Sequence, residues 1–181
     1  RDRSVSRGLG DVYKRQALTI PGPNVEAMID VCRERLAALP ADATPVQQAA
    51  EVMDEVYKAF VYTPGSTTIR TTAEQALAQR KGVCQDYAHV MLSVCRHVGL
   101  TARYIAGLLG GEGATHAWVE VYQDGRWVGL DPTHNRLVDD SYITIAHGRD
   151  YRDCMLDIGI FSGYNVQQTQ WVNASVHEQV A

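Results

Sequence analysis

Apolar positions recur at helical spacing through the first half of the chain and alternate through the second. Pro21-Gly22-Pro23-Asn24 is a turn cluster, with Asn24 as the expected N-cap of a helix carrying Val25, Met28, Ile29, Cys32 and Leu36 on one face. Pro40 ends that helix. A second is expected from Thr44-Pro45, with Val46, Ala49, Met53, Val56, Tyr57 and Phe60 along its apolar stripe. After the breaker Thr63-Pro64-Gly65-Ser66, Thr71 and Glu74 form a capping-box pattern that opens a short helix to about Lys81. A third strong helix is expected from Val83 to Val98, closed by Gly99. The period then becomes two. Strands are expected at 101–109, 116–122 and 126–131, with a Gly-rich loop at 110–114 and an Asp124-Gly125 turn. Tyr142–Ala146 is a further strand, and Gln167–Val176 a weaker one. Helices followed by strands predict an α+β fold, with helices packed on one face of an antiparallel sheet.

Composition narrows the function classes. The chain has 181 residues, 17 basic and 21 acidic, and a formal charge of −4. One domain with a real core fits that length. Residues 1–16 hold five basic and two acidic residues without a period, and they resemble translated sequencing-linker sequence. They are expected to be a disordered, non-native tail, leaving 17–181 as the domain, with its catalytic core at about 60–150. Without them the balance is 12 basic to 19 acidic residues, near −7. That charge argues against a nucleic-acid or anionic-membrane partner. No apolar run approaches the length of a membrane span. Four scattered cysteines read as reduced thiols, and a cytoplasmic location is the expectation.

Cys84 stands at the start of the third strong helix. There, first-turn N–H groups and the helix dipole favour negative charge, and the same N–H groups can donate to an oxyanion. Cys84 also leads the stripe Ala88, Met91 and Cys95, so it faces the side the helix buries. Taken alone, this position suits a small packed hydrophobe better than a nucleophile. Cys32 and Cys95 read as packing residues, and Cys154 carries no signal.

The hairpin supplies partners. If Asp124-Gly125 is a two-residue loop, paired residue numbers sum to 249. Trp118 then lies opposite Asp131, and His116 becomes a diagonal neighbour of Asp131 on the same face. A three-residue loop with a bulge would reverse this. His116 and Asp131 each have bland readings as well, a strand-end histidine and a strand terminator. Together with Cys84 they point to a Cys–His–Asp arrangement.

Three ordered motifs carry a resemblance: Gly82-Val83-Cys84-Gln85-Asp86-Tyr87-Ala88-His89, His116-Ala117-Trp118-Val119-Glu120-Val121 and Trp127-Val128-Gly129-Leu130-Asp131-Pro132-Thr133-His134. They resemble the transglutaminase-like superfamily of thiol enzymes, most closely its bacterial members, over about residues 24–160. Phe60 to Thr67 and Gly148 to Tyr151 are similar to that group too. The resemblance implies a papain-like α+β core with Cys84 as nucleophile, His116 as general base and acid, and Asp131 as its orienter. Bacterial members of that group often carry a β-rich domain before this core, and an upstream partner of that kind is an expectation here.

The expected activity is thiol-dependent acyl transfer on a peptide or protein amide, with hydrolysis favoured. Protein-glutamine crosslinking is the second reading, and a silent peptide-binding module the third. Gln85, Asp86, His89, Trp118 and His134 are expected along the cleft or behind it, His89 in a structural role because it lies about 140° around the helix from Cys84. Trp118 and Trp127 either wall the cleft or pack across strands. Gln79 is a weak oxyanion candidate. No metal or organic cofactor is expected, since Cys84, His89, Cys95 and His116 contain no close zinc-ligand pair. Asn173-Ala174-Ser175 is formally a glycosylation acceptor without a secretory context.

Overall fold

A computed structural model describes residues 17–111 and 115–155. The expected tail at 1–16, the weak strand at 167–176, the segment after Ser162 and the Asn173 acceptor lie outside the described residues. A 3₁₀ turn at Ala17–Thr19 leads into α1 (Pro23–Ala37), α2 (Pro45–Ala59), β1 (Val61–Tyr62), α3 (Ala73–Gln79), β2 (Lys81–Gly82) and α4 (Cys84–His97). Then follow β3 (Ala102–Leu109), β4 (Thr115–Gln123), β5 (Arg126–Asp131), β6 (Arg136–Leu137), β7 (Tyr142–Gly148) and a 3₁₀ turn at Tyr151–Asp153. The long strands form one sheet of order β6-β5-β4-β3-β7, each pair antiparallel, and β1 pairs with β2 in parallel. The chain has an α+β, papain-like architecture.

Alternation along the strands divides the core. Ala117, Val119 and Val121 of β4, with Tyr104, Ala106 and Leu130, pack against the four helices. α4 is the central helix, with Tyr87 through Cys95 buried without interruption. The opposite face carries a smaller cluster of Ile105, Leu109, Trp118 and Tyr142, closed by Val138. Gly107 makes room for it. A Cβ there would collide with the Trp118 ring and the Ile143 carbonyl.

Two expected caps are replaced. α1 is capped by Gly22, not Asn24, and Pro23 is its first residue. Glu74 reaches across from α3 and takes the Asn24 and Val25 N–H groups, each at 3.0 Å. The capping box of α3 is Thr72 with Gln75, one position later than expected. Tyr57 is exposed and Val52 fills the stripe instead. β1, β2 and β6 were not anticipated, since two residues carry no measurable period.

Candidate active site

Val83 caps α4 in extended conformation, and its N–H donates to Asp86 Oδ2 at 2.8 Å. The Thr67 hydroxyl donates to the same oxygen at 2.6 Å. Asp86 is buried, and burial raises its pKa against these two bonds. It thus fixes the entry into the helix one residue before Cys84. Gly82 permits this closeness, since a Cβ would lie 2.7 Å from that of Asp86. Cys84, the first residue of α4, is half-buried, and its N–H has no intrahelical acceptor.

The hairpin has the expected register. Gln123 pairs with Arg126 and Val119 with Leu130, so paired numbers sum to 249. His116 Nε2 lies 2.8 Å from Asp131 Oδ2, with the histidine 3% exposed and the aspartate fully buried. Cys84 and His116 line one cavity, and the nearby thiol adds to Asp131 in favouring the His116 imidazolium. Thr115, His116 and Ala117 all line the cavity at Cys84, so that cavity wraps around the start of β4, where the N-terminus of α4 arrives.

These contacts set the charges. Burial disfavours the His116 imidazolium, but hydrogen bonds and charge from Asp131 and Cys84 outweigh it and raise His116 to about 10. Burial works against ionised Asp131 as well. Donation from His116, His134 and Tyr142 wins, holding it at about 2. Burial pushes Cys32 and Cys95 up to about 12 and Cys154 up to about 11.

Two cavities meet at His116. One, of about 310 Å³, is lined by Cys84, Gln85, Tyr62, Ile69, Tyr104 and Tyr151 among others. The second, of about 330 Å³, is lined by Tyr62, His116, Thr133 and His134. Gln85 therefore lies in the cleft, and its buried Nε2 has no partner among the described residues. His134 is a rim residue, and its Nδ1 also lies 2.7 Å from Asp131 Oδ2. His89 is fully buried, and its Nε2 accepts from the Tyr151 N–H at 3.1 Å, tying the last turn to α4. Burial, followed by the charges of Arg96 and Arg152, lowers it to about 3, so it stays neutral.

Of the two readings of Trp118, cleft wall or packing residue, the structure has the packing one. Period two puts it on the sheet face away from the helices, where it is wholly buried behind His116 with ring centroids 6.2 Å apart. Trp127 lies at the far end, edge-on to Tyr122 and under the Arg103 guanidinium. Gln79 is excluded as an oxyanion donor, because its amide bridges the Ser66 and Lys81 carbonyls. Two residues escaped the sequence reading. Tyr142 donates its hydroxyl to Asp131 Oδ2 at 2.7 Å, and Tyr62 lines both cavities. Tyr62 lies in the family-like segment after Phe60, which was a usable signal, whereas nothing local marks Tyr142.

Among the described residues, one group brings metal-ligating atoms together: His116, Asp131 and His134, within 4.8 Å of one another. Their mutual hydrogen bonds account for the cluster.

The Cys84 thiol and the His116 imidazole thus share one cavity, with Asp131 hydrogen-bonded to the imidazole, and residues 35–132 match the model of the transglutaminase-like superfamily. The chain belongs to that superfamily. It is 39% identical over 147 residues to the uncharacterized Mycobacterium tuberculosis protein Rv2569c, covering 72% of this chain and 47% of that protein. It is 30% identical over 128 residues to a Pseudomonas aeruginosa protein-glutamine gamma-glutamyltransferase, covering 62% of this chain and 18% of that one. A candidate cysteine protease from Cytophaga hutchinsonii shares the fold with a TM-score of 0.61 and 27% identity, over 77% of this chain and 48% of the other. This superfamily chain spans about half the length of the Mycobacterium relative. Its neighbours are cysteine-protease-like and transglutaminase-like.

Proposed function

We propose that this chain performs thiol-dependent acyl transfer on amides, with Cys84 as nucleophile, His116 as acid and base, and Asp131 as orienter. The observation that carries the reading is His116, which lines one cavity with Cys84 and lies 2.8 Å from the Asp131 carboxylate. With His116 protonated, the Cys84 sulfur attacks the amide carbonyl and a C–S bond forms. Negative charge gathers on the carbonyl oxygen, within reach of the Cys84 N–H. The C–N bond then breaks as His116 Nδ1 gives its proton to the leaving nitrogen, and a thioester remains. His116, now neutral, takes a proton from water, whose oxygen attacks the thioester. The acid departs and the thiol is restored.

Hydrolysis is the favoured outcome, because the second cavity opens the His116 side to solvent and water is present unless a site excludes it. The likeness to a protein-glutamine gamma-glutamyltransferase supports transamidation as the second reading, in which an amine takes the place of water. Retention of all three residues argues against a silent peptide-binding module. The substrate we propose is a peptide or protein amide, with no nucleic-acid or membrane partner and no metal or organic cofactor, in a cytoplasmic setting. Among the described residues, no helix is long and apolar enough to cross a membrane.

A p-nitrophenyl acyl ester tests the reading, with intact-mass detection of the acyl group and peptide mapping. The expected result is a transient acyl adduct on Cys84, absent in Cys84→Ala, that decays to free acid. Transfer of the acyl group to added monodansylcadaverine in preference to water would favour transamidation. An adduct distributed equally over all four cysteines would overturn both.

A further inference from the structure

Asp131 serves more donors than an orienting carboxylate requires. Its Oδ2 accepts from His116 Nε2 at 2.8 Å, from His134 Nδ1 at 2.7 Å and from the Tyr142 hydroxyl at 2.7 Å. Its Oδ1 takes the N–H groups of Thr133 at 2.9 Å and His134 at 3.4 Å. A carboxylate oxygen offers about two lone-pair sites, so three donors on Oδ2 compete. Tyr142 is itself engaged from outside, because Arg136 Nε donates to its hydroxyl oxygen at 2.9 Å. That donation polarises the phenol and strengthens its own O–H as a donor.

We propose that Tyr142, backed by Arg136 and assisted by His134, is a positioning residue that limits how tightly Asp131 holds the His116 proton. The inference rests on His116 acting as acid and base. An imidazolium locked to an undivided carboxylate keeps its proton but gives it up poorly, whereas a catalytic acid works best near the ambient pH. Each added donor takes a share of the charge on Oδ2, and His116 releases its proton more readily. Among the described residues, the titratable and charged groups at this centre are Cys84 from α4, His134 beyond β5, Arg136 from β6, Asp139 beside Arg136, and Tyr142 from β7. Burial first, then the Asp131 carboxylate, raises the Tyr142 phenol far above its ordinary value, so it remains a neutral O–H donor. Its ring also packs edge-on against Trp118, with centroids 5.3 Å apart, which fixes where the hydroxyl points.

The test is an NMR titration of the full chain labelled with ¹⁵N-histidine, in wild type, Tyr142→Phe and Arg136→Ala, with the His116 signals identified by their loss in His116→Gln. Phenylalanine keeps the ring in the cluster and removes only the donor. The His116 midpoint is expected to rise in Tyr142→Phe by about half to one pH unit, the three- to tenfold change in proton affinity that one hydrogen bond supplies. Arg136→Ala should move it the same way by less. Arg136 is 45% exposed, so this variant carries the test if Tyr142→Phe fails to fold. A midpoint that stays fixed or falls in a folded variant overturns the inference, since a merely structural role would alter melting and leave the titration alone. The acyl-transfer reading is judged separately by iodoacetamide labelling of Cys84 in wild type and His116→Ala. Slower labelling in His116→Ala with an unmoved midpoint would sink this proposal and leave that reading standing.

Discussion

His116 keeps its proton because Asp131, and after it Cys84, favour the imidazolium, and either can be removed. Asp131→Asn deletes the carboxylate charge and leaves the side-chain shape. The imidazolium then loses its larger support, so the His116 pKa falls from about 10 toward the ordinary 6.5. The alkaline limb of the activity profile should move down with it, and kcat/KM at neutral pH should fall about a hundredfold or more. An alkaline limb that stays in place would show that Asp131 does not support the imidazolium. Much of this trio was legible in the chain, because helix position marks Cys84 and a single hairpin register joins His116 to Asp131. Tyr142 was not. Its strand pairs with β3, at the opposite end of the sheet order from β5, and only the β5–β7 connection folding back over the sheet brings its hydroxyl to Asp131. No local spacing encodes that path.

At the level of elements, periodicity identified the long helices and strands, but it misassigned how they are fastened. Glu74 matched a local capping pattern, yet its carboxylate holds the first turn of α1, 49 and 50 positions away along the chain. Glu74→Ala leaves those N–H groups without their acceptor and should cost about 1–2 kcal/mol, read from the urea midpoint at pH 7. Burial opposes its ionised form, but the α1 bonds prevail and lower its pKa. The difference between variant and wild type should therefore shrink as pH falls through that lowered value, and a pH-independent difference would contradict the capping role. Gly107 supplies a second test. Gly107→Ala drives a methyl group into Trp118, the residue behind His116, and should destabilise the fold by about 1–3 kcal/mol. An unchanged melting temperature would mean that the sheet face opposite the helices is looser than described.

For the molecule as a whole, His116, Asp131 and His89 are three of the buried groups that shape stability against pH. His116 is raised, so its contribution is complete below about 6.5 and is lost as pH climbs through about 10. Asp131 is lowered, so its contribution is present above about 3.8 and is lost as pH falls through about 2. His89 is lowered to about 3 and neutral in its buried site, so protonation of the unfolded chain erodes stability from 6.5 downward. The signs combine to a maximum near pH 6–7 with a decline on both sides. Urea unfolding across pH should trace that shape, and His89→Gln should flatten its acid limb.

The account stands most directly on the reactivity of one thiol. Iodoacetamide labelling near pH 7, mapped by peptide mass and timed for each cysteine, compares Cys84 with Cys32, Cys95 and Cys154, all three held protonated by burial. The expected result is that Cys84 labels at least about tenfold faster than the rest, and that His116→Ala removes most of that advantage. Equal rates for all four cysteines, unchanged by His116→Ala, would contradict the claim that His116 activates Cys84.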